Sequence, residues 1–407
     1  MNYQFSDRMS QLKVSPLREN AHKNMEQKEV ISFAYGYPPV DAFPMETMGE
    51  IAATMFSEFD PESFLQYGAT EGYPELRRLL KKRLQLVTNI PQAGQEEVVI
   101  VSGSSQAMDL AVRVLCNEGD IVLCEEQTFS GAVNAIKGYG AIPMALPMDL
   151  EKQTIDLTVL EAMLKRDQQK RIKLLYLIPT FQNPLGTSIP FEERKKIYAL
   201  AKKYQVIIFE DDPYGDLLYQ GEAIPKIKTL DTEGLVIYAG SFSKILAPSC
   251  RLGFILASDP ILEKLILAKQ VSDSHSNFFW QVLVAEFMKH YQFEAHVASL
   301  KGLYKEKFNL MMTCLQAFKE EELSFIEPTG GYFICCKLGE EVEEERFFDY
   351  LEKQKVAIIP GNVMSVAGKG YEKSFRLNFT KPTLKEIKQG MRIIAEGLQI
   401  ATYSKAM

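Results

Sequence analysis

Short apolar runs alternate with longer amphipathic stretches between residues 95 and 257. The runs are Val98–Val101, Ile121–Cys124, Leu174–Ile178, Val206–Phe209, Leu235–Ala239 and Phe254–Ala257. Between them, Gln106–Leu115 and Phe191–Tyr204 repeat apolar residues with the period of a helix. Strands that are apolar on both faces and separated by helices are typical of a mostly parallel sheet covered on both sides. The pattern therefore predicts a large α/β domain.

The pattern changes after residue 260. Residues 260–318 are almost wholly helical in pattern, and strands mix with helices from residue 323 onward. The predicted strands there are Tyr332–Cys336 and Phe375–Phe379, and the predicted helices are Glu343–Lys353 and Leu384–Leu398. This mixture predicts a smaller α+β domain.

Prolines interrupt regular structure near the start of the chain, at Pro16, Pro38, Pro39 and Pro44. We therefore predict an irregular arm over residues 1–45, and the family resemblance described below implies that this arm packs against the small domain and the active site. A large domain of residues 46–285 and a small domain of residues 286–407 complete the predicted division.

Composition disfavours several classes of protein. The 407 residues carry 46 Lys and Arg against 53 Asp and Glu, a formal charge of −7, whereas nucleic-acid-binding domains are usually basic. Met1–Val30 has no apolar core of the signal-peptide kind, and no apolar run approaches the ~20 residues of a membrane span. Six cysteines without a C-x-x-C pair and four histidines without H-E-x-x-H spacing predict reduced thiols, no metal and a cytoplasmic protein.

Polar residues follow four of the predicted strands where each strand ends, in segments 102–106, 179–184, 210–214 and 240–244. In open α/β sheets, ligands bind beyond the carboxyl ends of the strands. The sequence therefore predicts one site where small hydroxyls, an amide, an acid, a phenol and a lysine meet.

Four serines and an arginine within this group predict an anion site. Ser104 and Ser105 open a helix, where free N–H groups and the helix dipole favour an anion, although serine also simply caps helices. Ser241 and Ser243 would add two hydroxyls. Arg251 would add the planar cation that suits a phosphate, unless it forms a surface ion pair.

Lys244 and Asp211 indicate the chemistry. Lys244 follows an apolar strand, and partial burial would lower its pKa, since a neutral amine is the form that makes a Schiff base. The alternative is a solvent-exposed lysine. Asp211 ends another apolar strand, and a buried carboxylate needs a cation such as a protonated pyridine nitrogen. The alternative for Asp211 is a helix cap or an ion pair.

Three motifs resemble those of fold type I, class I/II pyridoxal-phosphate aminotransferases. They are Ser241-x-Ser243-Lys244 followed by Arg251, Asp211-x-x-Tyr214, and Asn183-Pro184-x-Gly186. Segments 102–106, 65–67 and 210–214 are most similar to the 2-aminoadipate/kynurenine aminotransferase subgroup. The resemblance extends from about residue 15 to the C-terminus. It implies an α/β fold with a mostly parallel seven-stranded sheet and a small α+β domain.

The resemblance also implies that pyridoxal 5′-phosphate binds at the strand ends and that an amino group moves between an L-amino acid and a 2-oxo acid. Lys244 would hold the cofactor as a Schiff base and later move the substrate's proton. Asp211 would keep the pyridine nitrogen protonated, while Asn183 and Tyr214 would hydrogen-bond the ring hydroxylate. The residues implied to hold the phosphate are Ser104, Ser105, Ser241, Ser243 and Arg251.

Further residues match positions that contact the substrate or a second subunit in the aminotransferases that this sequence resembles. Tyr67 would reach the phosphate of the neighbouring subunit, which implies a homodimer. Arg376 matches the arginine that binds the substrate α-carboxylate bidentately, although a charged residue on a half-exposed strand is the alternative. Phe129 replaces the usual ring-stacking tyrosine, so stacking survives without the hydroxyl. Gly36 and Tyr37, where leucine is common at the second position, would line the entrance.

Two other classes of enzyme are disfavoured because the chain lacks their motifs. Segment 241–244 contains S-x-x-K, but the chain has no K-T-G motif of the penicillin-recognising acyl-transferases. Segment 138–141 does not continue into the G-x-G-x-x-G of nicotinamide enzymes. Two alternatives stay open, namely a cofactor-binding effector module like the aminotransferase-like domains of GntR-type regulators, and a β-lyase or decarboxylase on the same fold.

Arg18→Ala should raise KM for acidic donors such as glutamate or 2-aminoadipate far more than for leucine or aromatic donors. In the resembling subgroup this segment covers the substrate, and an arginine at the matching position can meet a side-chain carboxylate. The alternative is that Arg18 is a surface arginine on a helix. A charge-assisted bidentate pair would supply roughly 1.5–3 kcal/mol against the entropy of ordering the segment. Steady-state kinetics on both donor classes measure the effect, and equal losses would assign Arg18 to stability of the segment instead.

Overall fold

A seven-stranded sheet forms the centre of the fold in the computed structural model, which describes residues 3–12, 30–90, 97–291 and 293–402. Arg18 lies outside the described residues. The strands are β1 (Ile31–Ser32), β2 (Val98–Val101), β3 (Ile121–Glu125), β4 (Ile142–Leu146), β5 (Met148–Asp149), β6 (Thr154–Ile155), β7 (Ile172–Leu177), β8 (Ile207–Asp212), β9 (Val236–Ser241), β10 (Gly253–Leu256), β11 (Leu323–Phe325), β12 (Phe333–Leu338), β13 (Val356–Ala357), β14 (Ile359–Pro360) and β15 (Ser374–Asn378).

Helices cover this sheet and build much of the rest of the molecule. They are α1 (Met45–Glu58), α2 (Glu62–Leu65), α3 (Pro74–Val87), α4 (Ser104–Leu115), α5 (Ser130–Gly138), α6 (Leu157–Arg166), α7 (Phe191–Tyr204), α8 (Asp259–Asp273), α9 (Phe278–His290), α10 (Phe293–Leu315), α11 (Glu344–Lys353) and α12 (Leu384–Ala401). None of the described helices is long and apolar enough to cross a membrane.

The central sheet has the strand order β2-β10-β9-β8-β7-β3-β4. All neighbouring strands are parallel except for the two pairs that involve β10. The six apolar runs predicted from the sequence are all strands of this sheet, so the mostly parallel α/β fold is confirmed. The seventh strand, β4, was missed because it lies at the sheet edge, contains Pro143 and is only partly buried.

The two faces of strand β7 pack into different apolar clusters. In β7, Leu174 and Tyr176 belong to one cluster, whereas Leu175 and Leu177 belong to another. This division follows from the strand period of two, which sends successive side chains to opposite faces. Strands covered on both faces need apolar residues at nearly every position, which explains the continuous runs in the sequence.

The C-terminal part forms a four-stranded antiparallel sheet in the order β11-β12-β15-β14. The described part of the arm contributes β1, which pairs in parallel with β13 through Ile31 and Val356. The boundary predicted between residues 285 and 286 falls inside α9. Strand β15 brings Arg376 across from Cys335 of β12, and this register aims the arginine toward the carboxyl ends of the central sheet.

Gly253→Ala should lower the free energy of unfolding by about 1–3 kcal/mol, the usual cost of overpacking. A Cβ at residue 253 would lie 2.7 Å from the Gly240 carbonyl oxygen and 2.9 Å from the Gly103 Cα, so one of these backbones must move. Denaturant unfolding measures the change. Gly302→Ala is the matched control, because nothing lies within 4 Å of a Cβ there and alanine favours the helix. Equal stability of the Gly253→Ala protein and wild type would contradict the close backbone approach.

Candidate active site

A cavity lies beyond the carboxyl ends of the central strands, at the edge that the sequence pattern indicated. The four polar segments that follow β2, β7, β8 and β9 all reach it. Ten residues selected from the sequence line it together, namely Ser104, Ser105, Phe129, Asn183, Asp211, Tyr214, Ser241, Ser243, Lys244 and Arg251. The parallel strand directions bring these side chains together from segments far apart in the chain.

Lys244 lies in the loop after β9, with its amine held among groups of the arm and the small domain. Its Nζ donates a hydrogen bond to the Gly36 carbonyl oxygen at 2.6 Å and lies 5.5 Å from the centre of the Tyr332 ring. Burial, and then the charges of Arg376 and Arg251, lower the pKa of Lys244 to about 8. A far larger fraction of this amine is therefore neutral near pH 7 than in an exposed lysine.

Of the two adjacent acids Asp211 and Asp212, only Asp211 lines the cavity. Its Oδ2 accepts a hydrogen bond from the Tyr176 hydroxyl at 2.8 Å, while Oδ1 has no well-formed hydrogen bond to any described residue. Burial raises the pKa of Asp211 to about 7, against the opposing effect of the Tyr176 hydrogen bond. The site thus holds a buried carboxylate with one oxygen free to accept from a ligand.

Asp212 points to the opposite face of β8, as strand alternation requires. Its Oδ2 lies 2.6 Å from the Lys226 Nζ and accepts a hydrogen bond from the Tyr238 hydroxyl at 2.7 Å. The charge of Asp212 is therefore compensated by Lys226, and Asp211 is the acid of the two that lines the cavity.

Arg376 is a buried cation at the meeting point of the two domains and the arm. Its Nη1 donates to Asn183 Oδ1 at 2.6 Å, its Nη2 donates to the Ala34 carbonyl oxygen, and its Cζ lies 4.0 Å from the centre of the Phe333 ring. Burial lowers the pKa of Arg376 to about 10. In the part of the chain that the structure describes, no carboxylate pairs with this guanidinium. A buried, unpaired guanidinium is suited to bind the carboxylate of a ligand.

The start of α4 and Arg251 form a small cup at one end of the cavity. Gly103 precedes the helix with φ of 85°, and a Cβ there would lie 2.8 Å from the Arg251 Nη2. The same Nη2 donates to the Ser102 carbonyl oxygen at 3.1 Å. Across the cup, the Ser241 hydroxyl accepts from the Ser243 backbone N–H at 3.2 Å. Helix N–H groups, hydroxyls and a guanidinium around one space provide the donors that a phosphate needs.

The arm closes one side of the site with Gly36. A Cβ at this residue would lie 2.7 Å from the Phe333 ring, so the arm can approach this closely because the residue is glycine. Tyr37 is 38% exposed and stacks on Tyr35 at 5.2 Å between ring centres, with the Lys381 Nζ 5.8 Å from its own ring. Tyr37 does not line the cavity at the strand ends.

Tyr67 does not reach the cavity of its own chain. Its side chain is 84% exposed, and its ring contacts His275 edge-on at 5.8 Å. This placement leaves the tyrosine accessible to a second subunit.

Three site residues were not selected from the sequence. Tyr176 lay within a predicted strand and Tyr332 and Phe333 at the start of another, where aromatic residues ordinarily indicate only core packing. The one signal for Tyr176 was its hydroxyl in an otherwise apolar run. Among the described residues, no group of three or more His, Cys, Asp or Glu is arranged to hold a metal ion.

The chain is similar to known proteins over almost its whole length. The family model for aminotransferase class I and II matches residues 28–394. The chain is 35% identical to aromatic-amino-acid aminotransferase 1 of Thermococcus litoralis, over 97% of this chain and 94% of that protein. Its structure superimposes with a TM-score of 0.90 and 34% identity on a multiple substrate aminotransferase from Thermococcus profundus, over 97% of both chains. For the alpha-aminoadipate aminotransferase of Thermus thermophilus, solved with N-(5′-phosphopyridoxyl)-L-leucine, the TM-score is 0.86 at 32% identity over 97% of both chains.

Proposed function

Because the chain belongs to the class I and II aminotransferase family, we propose that its central cavity holds pyridoxal 5′-phosphate on Lys244 and is the place where the amino group is transferred. Amino-group transfer between an L-amino acid and a 2-oxo acid follows from family membership. The observation that carries the assignment to this cavity is that Lys244, with its lowered pKa, and Asp211, with its free oxygen, line the same space.

The residues present suit this cofactor. Asp211 Oδ1 is a buried acceptor in need of a donor, and a protonated pyridine nitrogen is such a donor. The cup made by the start of α4, Ser241 and Arg251 offers N–H groups, hydroxyls and a positive charge to a phosphate dianion. Phe129 lines the same cavity and would pack on the ring face.

Pyridoxal 5′-phosphate, when bound, supplies an electron sink that stabilises negative charge at the substrate Cα. Asp211 would accept the hydrogen bond of the ring N–H and keep that nitrogen protonated. Asn183 and Tyr214 would donate to the ring oxygen, and Ser104, Ser105 and Ser243 would complete the phosphate contacts. These residues orient the ring without taking part in proton transfer at Cα.

Lys244 is the residue proposed to move the proton. Its Nζ would take the proton from the substrate Cα and deliver it to C4′ of the cofactor, and would carry it back in the reverse half-reaction. A general base works best when its pKa is near the working pH, and a pKa of about 8 satisfies this requirement whereas an ordinary lysine does not. The Gly36 carbonyl and the Tyr332 ring keep the amine in one position.

Arg376 is proposed to bind the α-carboxylate of the substrate. Its unpartnered Nε and its lack of an acidic partner among the described residues support this role, and Asn183 fixes the guanidinium from the other side. The arm around Gly36 and Tyr37 would cover the bound substrate and exclude water.

The substrate class proposed is broad. Similar proteins are named for aromatic amino acids, for multiple substrates and for alpha-aminoadipate. We propose glutamate and 2-oxoglutarate as one pair, with 2-aminoadipate, aromatic or branched-chain amino acids as the other donor. A half-reaction screen tests this directly, by mixing the purified protein with each amino acid and following the absorbance of the bound cofactor. We also propose a homodimer with shared sites, acting in the cytoplasm.

Sodium borohydride should attach the cofactor irreversibly to Lys244, and the untreated protein should be yellow. The reason is that Lys244 is the amine of the cavity with a depressed pKa. Peptide mapping by mass spectrometry identifies the labelled lysine. Lys226 is an internal control, because its amine is engaged by Asp212. Label on another lysine, or on none, would refute the proposed site.

Asp211→Asn should retain pyridoxal 5′-phosphate but lose transamination by several orders of magnitude. The covalent bond to Lys244 and the phosphate contacts remain, whereas a neutral amide no longer favours a protonated ring nitrogen. Absorbance reports retention, and single-turnover kinetics with glutamate report the rate. Turnover close to that of wild type would show that Asp211 is only structural.

Tyr67→Phe should weaken retention of the cofactor by roughly tenfold or more without dissociating the dimer, as expected for one hydrogen bond to a charged group. The Tyr67 side chain is exposed and does not line the cavity of its own chain, so its proposed hydrogen bond to the phosphate would be made in the cavity of a partner subunit. Light scattering gives the oligomeric state, and dialysis followed by absorbance gives retention. A fully active monomer would disprove the shared site.

A further inference from the structure

We propose that Tyr176 is a positioning residue of the active site, whose hydroxyl keeps the Asp211 carboxylate ionised and turned so that Oδ1 faces the cavity. The inference rests on the proposed function, because it concerns how Asp211 meets the ring nitrogen of the cofactor. It adds a residue that touches neither cofactor nor substrate and acts through Asp211.

The geometry of the pair restricts the carboxylate to one orientation. Tyr176 lies in β7, has no solvent exposure and is paired across the parallel β7–β8 ladder with Phe209, two residues before Asp211. Its hydroxyl donates to Asp211 Oδ2 at 2.8 Å. The Tyr176 ring packs against the Phe209 ring at 5.8 Å, which holds the hydroxyl in place. Since Oδ2 is occupied, Oδ1 is the oxygen left to accept a hydrogen bond from a ligand.

The electrostatic surroundings of Asp211 oppose its ionisation. Asp212 on the same strand raises the pKa of Asp211 in addition to burial, whereas the hydroxyls of Tyr176 in β7 and Ser104 in α4 lower it. Glu125 in β3 is also fully buried, and burial raises its pKa to about 7, with a further contribution from Asp211.

Tyr214, just beyond β8, completes the titratable groups around Asp211, and the charge of Asp211 contributes to the raised pKa of this phenol. The Tyr176 hydroxyl is the first of two hydrogen-bond donors that lower the pKa of Asp211, so its loss shifts the carboxyl toward the protonated form.

The same strands provide a matched control. Tyr238 in β9 is buried like Tyr176 and donates to the neighbouring acid, Asp212, at 2.7 Å. Asp212 faces away from the cavity and keeps its Lys226 partner at 2.6 Å. Removing the hydroxyl of Tyr238 therefore makes the same chemical change in the same sheet, without altering the acid that faces the cofactor.

The test measures binding of pyridoxamine 5′-phosphate to the full-length apoprotein by isothermal titration calorimetry from acidic to alkaline pH. This probe carries an amine instead of an aldehyde, so it forms no covalent bond to Lys244 and reports only ring and phosphate contacts. Binding that needs an ionised Asp211 and a protonated ring nitrogen is strongest between the pKa of this carboxyl and that of the ring nitrogen of the free probe. It weakens about tenfold per pH unit below the pKa of the carboxyl, and the midpoint of this acidic limb is the quantity compared. Tyr176→Phe should move the midpoint of the profile upward by about one pH unit, since a hydrogen bond to a charged group is lost.

The control variant Tyr238→Phe should keep the wild-type midpoint. A Tyr176→Phe profile that coincides with that of wild type, or an equal shift in both variants, would overturn the inference.

If Tyr176→Phe fails to fold, 3-fluorotyrosine placed at position 176 keeps the hydroxyl and makes it a stronger donor, and the midpoint should then move downward. An unchanged midpoint in that protein would also overturn it. Failure of wild type to bind the probe at any pH would instead refute the proposed function.

Discussion

Burial of the Asp211 carboxylate at the end of β8 is the constraint around which the site is arranged. Removing an ion from water costs several kcal/mol unless it is paired and hydrogen-bonded, and the protein satisfies only one of its two oxygens. The remaining oxygen makes the site incomplete without a cationic donor. The low pKa of Lys244 has the same origin, because burial and nearby positive charges disfavour the charged amine. The need of Asp211 for a cationic donor and the lowered pKa of Lys244 therefore both result from the removal of these groups from water.

The parallel sheet determines where this desolvated space lies. Residues from four strand ends meet because neighbouring parallel strands all terminate at one edge. The antiparallel strand β10 lies between β2 and β9, and Gly253 lets the backbones of Gly103 and Gly240 approach closely at this point. The cup at the start of α4 is thus a consequence of backbone packing as much as of its hydroxyls.

The position of Arg376 depends on contacts between the two domains and the arm. Arg376 comes from β15 of the small sheet, yet it is held by Asn183 of the large domain and by Ala34 of the arm. The Tyr332 hydroxyl donates to the backbone carbonyl of Lys244 at 3.2 Å, which ties the small domain to the lysine loop as well. The position of a bound carboxylate relative to the Lys244 amine is therefore fixed by how the domains and the arm pack.

The sequence by itself determined six of the seven strands of the central sheet and the polar residues at their ends, because strands buried on both faces need continuous apolar runs. The resemblance in the motifs around Lys244, Asp211 and Asn183 determined the family. Edge strand β4 gave no such signal, since partial burial relaxes the demand for apolar residues. Only the tertiary structure decided that Asp211 faces the cavity while Asp212 faces Lys226. The hydrogen bond from the Tyr176 hydroxyl to Asp211 likewise became visible only in the tertiary structure. Alternation along a strand predicts opposite faces, but which face meets the ligand depends on neighbouring strands that lie far away in the sequence.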